Sequence, residues 1–302
     1  MLLLSAALAQ TAPPIVNGST TSDFEQVGAL VAYNENYGGS SFCSGTLIHS
    51  EWVLTAAHCN EAADQYDRQG FDILFVWGQN LGQTGIDGYA VADQILLHPD
   101  YDPQRLFYDI GLLHLEEPVT VMDPIPVNRD TMDSSWEGET LDFVGWGITA
   151  DGRNDSGTKR TARIPIYDIN EYYFRAYDQS KNLCQGDSGG AGLETVGDGY
   201  EVAGVNSFVF AVQSGNSTCV GGGSGSARVD GALDWIDQYV PAVEGPGFEV
   251  AGADSGPYVD TGDPALPSDN GVQPAGGCST APAGAGLAGL LMAALGLLIR
   301  RA

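Results

Sequence analysis

Cys184-Gln185-Gly186-Asp187-Ser188-Gly189-Gly190 is the stretch on which the reading of this 302-residue chain turns. Its Gly-Asp-Ser-Gly-Gly core fits a G-x-S-x-G elbow, which presents a serine on a sharp strand-to-helix turn of an α/β sheet. That elbow needs its histidine later in the chain than the serine. The chain holds four histidines, His49, His58, His98 and His114, and all of them precede Ser188. Chain order excludes the α/β sheet.

Two upstream segments carry the groups that a reactive serine lacks: Leu54-Thr-Ala-Ala-His58-Cys59 and Asp109-Ile-Gly-Leu-Leu-His-Leu115. A serine hydroxyl is a poor nucleophile at neutral pH. It needs an imidazole to take its proton, and the imidazole needs a carboxylate to fix its tautomer and stabilise its charge. Around these segments, short β-prone runs recur between Gly, Asn and Asp clusters: Val27–Ala32, Phe42–Ile48, Ile73–Val76, Ile110–Leu115, Leu141–Trp146 and Tyr200–Ser207. With 41 glycines and few helical runs, the pattern predicts an all-β sandwich or barrel. One good helix is expected, at Leu233–Val240, where Leu233, Ile236 and Val240 form an apolar stripe.

The order His…Asp…Ser is that of chymotrypsin-type enzymes. With Gly145-Trp146-Gly147 and the Trp235-Ile236 helix, the chain resembles a trypsin-like (chymotrypsin-family) serine protease from Ile15 to Val240, about three-quarters of its length. The resemblance implies an all-β fold of two packed six-stranded antiparallel β-barrels with a C-terminal helix. His58 and Asp109 would come from the first barrel and Ser188 from the second. It implies His58 as general base, Asp109 as its orienting carboxylate and Ser188 as nucleophile, with the N–H groups of Gly186 and Ser188 forming the oxyanion hole. Gly suits position 186, because the peptide must turn its N–H inwards with no side chain in the way.

Ile15-Val16-Asn17-Gly18 resembles the N-terminus that such proteases expose on activation, whose ammonium inserts beside the aspartate preceding the nucleophile, here Asp187. Residue 14 is Pro, so cleavage after Arg or Lys is excluded and trimming of 10–14 as a short propeptide is expected. The family sets primary specificity at the residue six before the nucleophile, here Asn182, where trypsins carry Asp. Ser207 and Phe208 match the family's Ser-Trp pair on the substrate-binding wall, and Val209 falls where an open pocket has Gly. A preference for small or medium uncharged side chains before the cut follows. The segment between Ile166 and Cys184 is shorter than in typical trypsins, which alters one rim of the cleft.

The chain has five cysteines. By spacing alone, the first four allow three pairings. The resemblance implies Cys43–Cys59, bracing the His58 loop, and Cys184–Cys219, tying the Ser188 loop to a pocket wall. Disulfides presuppose an oxidising compartment, and Met1–Ala9 reads as a short signal peptide ending in Ala7-Leu8-Ala9, though without a basic start. His98 and His114 have no partner at metal spacing and His49 reads as a loop residue, so neither metal nor cofactor is expected.

A net charge of −27 with 12 Lys and Arg leaves no basic patch for a phosphate backbone, so nucleic acid is excluded as a partner. The expected partner is a peptide or protein substrate, the catalytic domain being monomeric. Residues 241–277 hold six Pro, eight Gly and six acids with no Lys or Arg, the composition of a disordered stalk. Ala283–Ile299 is then uncharged and long enough, at about 25 Å as a helix, to cross a thin bilayer, with Arg300-Arg301 as a positive-inside stop. Cys278, that segment and the basic end together (278–302) resemble the C-terminal sorting signals of Gram-negative surface proteins, especially the MYXO-CTERM type. The cysteine would carry an anchor, and the protein would be secreted or held at the cell surface. The competing readings are a catalytically silent protease-fold binding module and a non-peptide esterase.

Overall fold

A computed structural model describes residues 15–82, 84–212 and 218–241. The signal peptide, the propeptide, Cys278, the sorting segment and all but the first residue of the stalk lie outside the described residues.

The order of elements is β1 (Ser19–Thr20), β2 (Val27–Asn34), β3 (Gly38–His49), β4 (Trp52–Thr55), α1 (Ala57–Asp67), β5 (Asp72–Gly78), β6 (Ile86–Leu97) and β7 (Gly111–Leu115). A second set follows: β8 (Thr140–Gly145), β9 (Arg160–Ile169), β10 (Tyr173–Ala176), β11 (Ala191–Val196), β12 (Gly199–Phe210), β13 (Gly223–Arg228) and α2 (Leu233–Ile236). Strands β2-β3-β4-β7-β6-β5 close into one antiparallel barrel. The second sheet runs β9-β10-β13-β12-β11-β8 and closes through a β8–β9 pairing, with β1 added on the outside of β9. The expected pair of six-stranded barrels is therefore present, and every one of the six β-prone runs falls wholly or mainly within a strand.

Strand β2 shows why the barrels cohere. Val27 to Tyr33 are all buried, so the strand lacks the polar alternation of a half-exposed sheet. Its residues nevertheless alternate, because successive side chains leave a strand on opposite faces. Leu30 and Ala32 join the main core, whereas Ala29, Val31 and Tyr33 join a second cluster with Leu74, Val76 and Trp146. Trp146 belongs to the second half of the chain, directly after β8, and its indole donates to the Val27 carbonyl at 3.1 Å. An apolar body with one satisfied polar edge thus pins the second barrel to the first.

Two helical details differ from the expectation. The α-helix expected at Leu233–Val240 is regular only over Leu233–Ile236; Tyr239 and Val240 continue it as turns bonded back to Ile236. An eleven-residue helix, α1, was not legible from apolar periodicity. It buries only Ala57, Cys59, Asn60 and Ala63, too small a face to produce a stripe. Its position comes from the Cys43–Cys59 disulfide and from Asn60, whose amide donates to the Leu96 and Leu112 carbonyls of β6 and β7.

Candidate active site

His58 lies in the first turn of α1, immediately after β4. Asp109 precedes β7 on a tight approach in which Leu106 (φ 57°) and Tyr108 (φ 50°) both take the left-handed conformation. This bend delivers Asp109 to a fully buried position. There one carboxylate oxygen accepts the His58 main-chain N–H at 2.9 Å, and the other pairs with His58 Nδ1 at 2.7 Å. With Nδ1 held by a carboxylate, its proton sits on that side of the ring and Nε2 is left as the basic nitrogen. Ser207 Oγ on β12 donates to the same Asp109 oxygen at 2.5 Å. The expected pocket-wall serine thus spends its hydroxyl on Asp109, tying the second barrel to the pair on the first.

Ser188 sits on the turn before β11, only 3% exposed. Its carbonyl accepts the Ser44 N–H at 2.8 Å, and Ser44 Oγ donates to the Gly186 carbonyl at 2.9 Å. Ser44 follows Cys43, whose disulfide partner Cys59 follows His58. One disulfide therefore couples the segment gripping the serine turn to the residue beside the imidazole. The Ser188 hydroxyl is buried and has no hydrogen-bond partner among the described residues, so the imidazole–hydroxyl bond expected from sequence is not made here. Such bonds often close only around substrate.

Gly186 has φ +92°, and a Cβ there would fall 2.9 Å from Gly147 Cα; only glycine fits. With the Gly186 carbonyl tied to Ser44, neither the Gly186 nor the Ser188 N–H donates to any group among the described residues. Two unspent donors either side of Asp187, one of them on the serine itself, could stabilise negative charge developing on an oxygen if both point to it.

Burial opposes a charged imidazole, but the Asp109 charge, its hydrogen bond and the more distant Glu61 outweigh it and raise the His58 pKa above its ordinary value. Burial also raises the Tyr101 phenol, reinforced by Asp109 and by Glu61, to which it is hydrogen-bonded. Neither Glu61 nor Tyr101 was marked in the sequence. Ser44 too was missed: nothing in a Cys-Ser pair announces that the serine will grip a loop more than a hundred residues later.

Ile15 is fully buried among Met132, Leu141 and Phe143, and Val16 bridges to Asn182. Asp187 is 1% exposed and accepts N–H bonds from Gly147 at 2.8 Å and Cys184 at 2.9 Å. Its carboxyl is pushed up to about 7, first by burial, against the two amides and Arg160, which favour the anion. Asn182 is buried, with its amide turned to the Thr218 and Cys219 carbonyls at 2.9 and 3.1 Å. Phe208 packs edge-on to Tyr173 and closes over Gly225, while Val209 is 6% exposed. The crevice bounded by Leu183, Cys184, Asp187, Ser188, Ser207 and Val209 leaves no room for a water molecule. Cys184–Cys219 forms the second bridge.

The other histidines have structural surroundings: His98 stacks on Tyr108, His114 pairs with Asp93 at 2.6 Å, and His49 accepts the Glu51 N–H. Among the described residues, potential metal ligands converge only at Cys43, His58 and Cys59, whose cysteines are joined as a disulfide and offer no thiolate.

Residues 15–236 match the family model described as Trypsin. Trypsin 5G1 of Aedes aegypti is 31% identical over 226 residues, covering 67% of this chain and 76% of the relative. Tryptase of Mus musculus is 29% identical over 232 residues, covering 66% and 79%. Chymotrypsin-like elastase family member 1 of Rattus norvegicus is 29% identical over 234 residues, covering 66% and 86%. With the paired barrels, this match over most of its length places the chain in the trypsin family of chymotrypsin-like serine proteases.

Proposed function

We propose that the protein is a serine endopeptidase, secreted or displayed at the cell surface, that hydrolyses peptide bonds through an acyl-enzyme. The observation that carries this reading is the doubly bonded His58–Asp109 pair, coupled through the Cys43–Cys59 bridge to Ser44, which grips the Ser188 turn. His58 Nε2 takes the Ser188 proton as Oγ attacks the carbonyl carbon, and the Gly186 and Ser188 amides receive the oxyanion. The imidazolium returns that proton to the departing amine, leaving an ester on Ser188. Water then repeats the sequence, His58 again taking and returning a proton, to release the acid. Asp109 stays ionised and stabilises the imidazolium.

Asn182 and Val209 are proposed to set the residue before the cut, with Ser207 and Phe208 as the adjoining wall. Asn182 stands where trypsins carry Asp, and Val209 stands where an open pocket has Gly, so small or medium uncharged side chains are the proposed preference. The signal peptide, the activation cut before Ile15, the stalk and the sorting segment around Cys278 extend this reading from sequence, as does a monomeric catalytic domain acting on protein substrates.

A peptide library incubated with the wild-type protein and with Ser188→Ala tests it. Wild type is expected to cleave after small uncharged residues, and the variant to cleave nothing. Preference for Arg would refute the pocket reading; no cleavage by either would favour a silent binding module.

A further inference from the structure

Buried charge around Asp187 points to a device not visible in the triad. Asp187 forms no ion pair within 4.0 Å among the described residues; its two oxygens are met by the Gly147 and Cys184 amides. While Ile15 remains joined to Pro14, its nitrogen is a neutral amide, and so no ammonium is available from that side. A buried carboxylate without a cation is costly and tends to take up a proton or rearrange.

A buried cation lies nearby: Arg160 is only 5% exposed and favours the Asp187 anion. It opens β9 directly opposite Gly145, the residue over which the Asp187 carboxylate lies: a Cβ on Gly145 would fall 2.4 Å from Asp187 Oδ1. A register slip of one residue would turn Arg160 to the other face of the sheet. Its guanidinium donates to the Gly147 carbonyl at 3.2 Å, so Gly147 offers its N–H to Asp187 and its C=O to Arg160. Further bonds to the Thr158 and Asp155 carbonyls hold the guanidinium in place, and its Nε is buried with no partner. An arginine buried this deeply, in a chain with 12 Lys and Arg against 39 acids, needs a compensating anion.

We infer that Arg160 is a positioning residue which, by its charge and through Gly147, holds Asp187 and hence the Gly186–Ser188 turn in the working arrangement while Ile15 is still joined to Pro14, so that the uncut chain is already competent. The inference rests on the peptidase reading above and concerns its regulation. It fits a chain in which Pro14 bars cleavage after a basic residue. Consistent with it, each group appears among the charges acting on the other: Arg160 favours the Asp187 anion, and Asp187 favours the guanidinium.

The test compares uncut and cut forms of the full chain. Wild type, Arg160→Gln and Arg160→Lys are prepared with the 14–15 bond intact, as verified by intact mass. Each is also made with Pro14→Arg, which lets trypsin free the Ile15 amine. The readout is the rate at which Ser188 in each form is labelled by a fluorophosphonate. Uncut wild type is expected to label, uncut Arg160→Gln to label at least about tenfold more slowly, and Arg160→Lys to fall between them. Cutting Arg160→Gln should restore the rate to within about threefold of cut wild type, because the freed ammonium supplies the missing charge. Labelling confined to cut wild type would overturn the inference and leave the peptidase reading intact. An equal loss in both forms of Arg160→Gln would show a merely structural role and also overturn it. Silence of every form would sink the peptidase reading itself.

Discussion

The balance between burial and neighbouring charge decides how single residues behave in this protein. The His58 pKa is raised because Asp109 and Glu61 outweigh desolvation, and in the proposed mechanism the base must be neutral. Activity is therefore expected to fall as pH drops through a value above 6.5. Glu61→Gln, on the exposed side of α1, should move that acid limb down by about 0.2–0.5 pH in kcat/KM, less at high salt. Lys159 shows the opposite balance. It is 1% exposed, its ammonium donates to the Phe24 carbonyl at 3.1 Å, and burial lowers its pKa to about 8. Between that value and the unfolded 10.5, the unfolded chain binds a proton that the folded chain does not, so stability from this group rises with pH across the window. Lys159→Met should remove that slope and raise Tm at pH 7 by about 2–4 °C, measurable in thermal melts. The His58–Asp109 pair and the glycine at 186 were readable in sequence because a tautomer-fixing carboxylate and a positive φ demand those residue types. Arg160, Lys159 and Ser44 were not, because burial of a polar side chain is a tertiary property with no local signature.

At the level of elements, strands were legible and α1 was not. Strand β2 keeps its period of two even when both faces are buried, whereas α1 offers a core of small residues that leaves no apolar stripe. Part of what fixes α1 is covalent: the bridge from Cys43 in β3 to Cys59 closes a loop of 16 residues. Replacing both cysteines by serine should cost about 3 kcal/mol in denaturant unfolding. It should also lower kcat more than the loss of stability explains, because His58 and the Ser44 grip on the serine turn lie at either end of the bridge. A loss of stability with kcat unchanged would show that α1 is positioned by packing alone. The pairings, open on spacing alone, became readable only through the family resemblance.

For the molecule as a whole, the candidate site depends on the meeting of two barrels. Ser207 of one barrel bonds Asp109 of the other, and Trp146 crosses the same boundary into the cluster of Ala29, Val31 and Val76. Trp146→Ala should destabilise the fold by about 3–5 kcal/mol, read by chemical denaturation, and should slow fluorophosphonate labelling of Ser188 in the molecules that still fold. The family resemblance led to the expectation that two barrels would meet, but no local pattern shows that a tryptophan is the joint. The most direct measurement is the mass of the intact protein after exposure to a fluorophosphonate, with the adduct mapped by peptide sequencing. A single adduct on Ser188 is expected, falling in rate by more than about 10⁴-fold in His58→Ala. An unmodified Ser188, or one labelled equally fast without His58, would contradict the catalytic account.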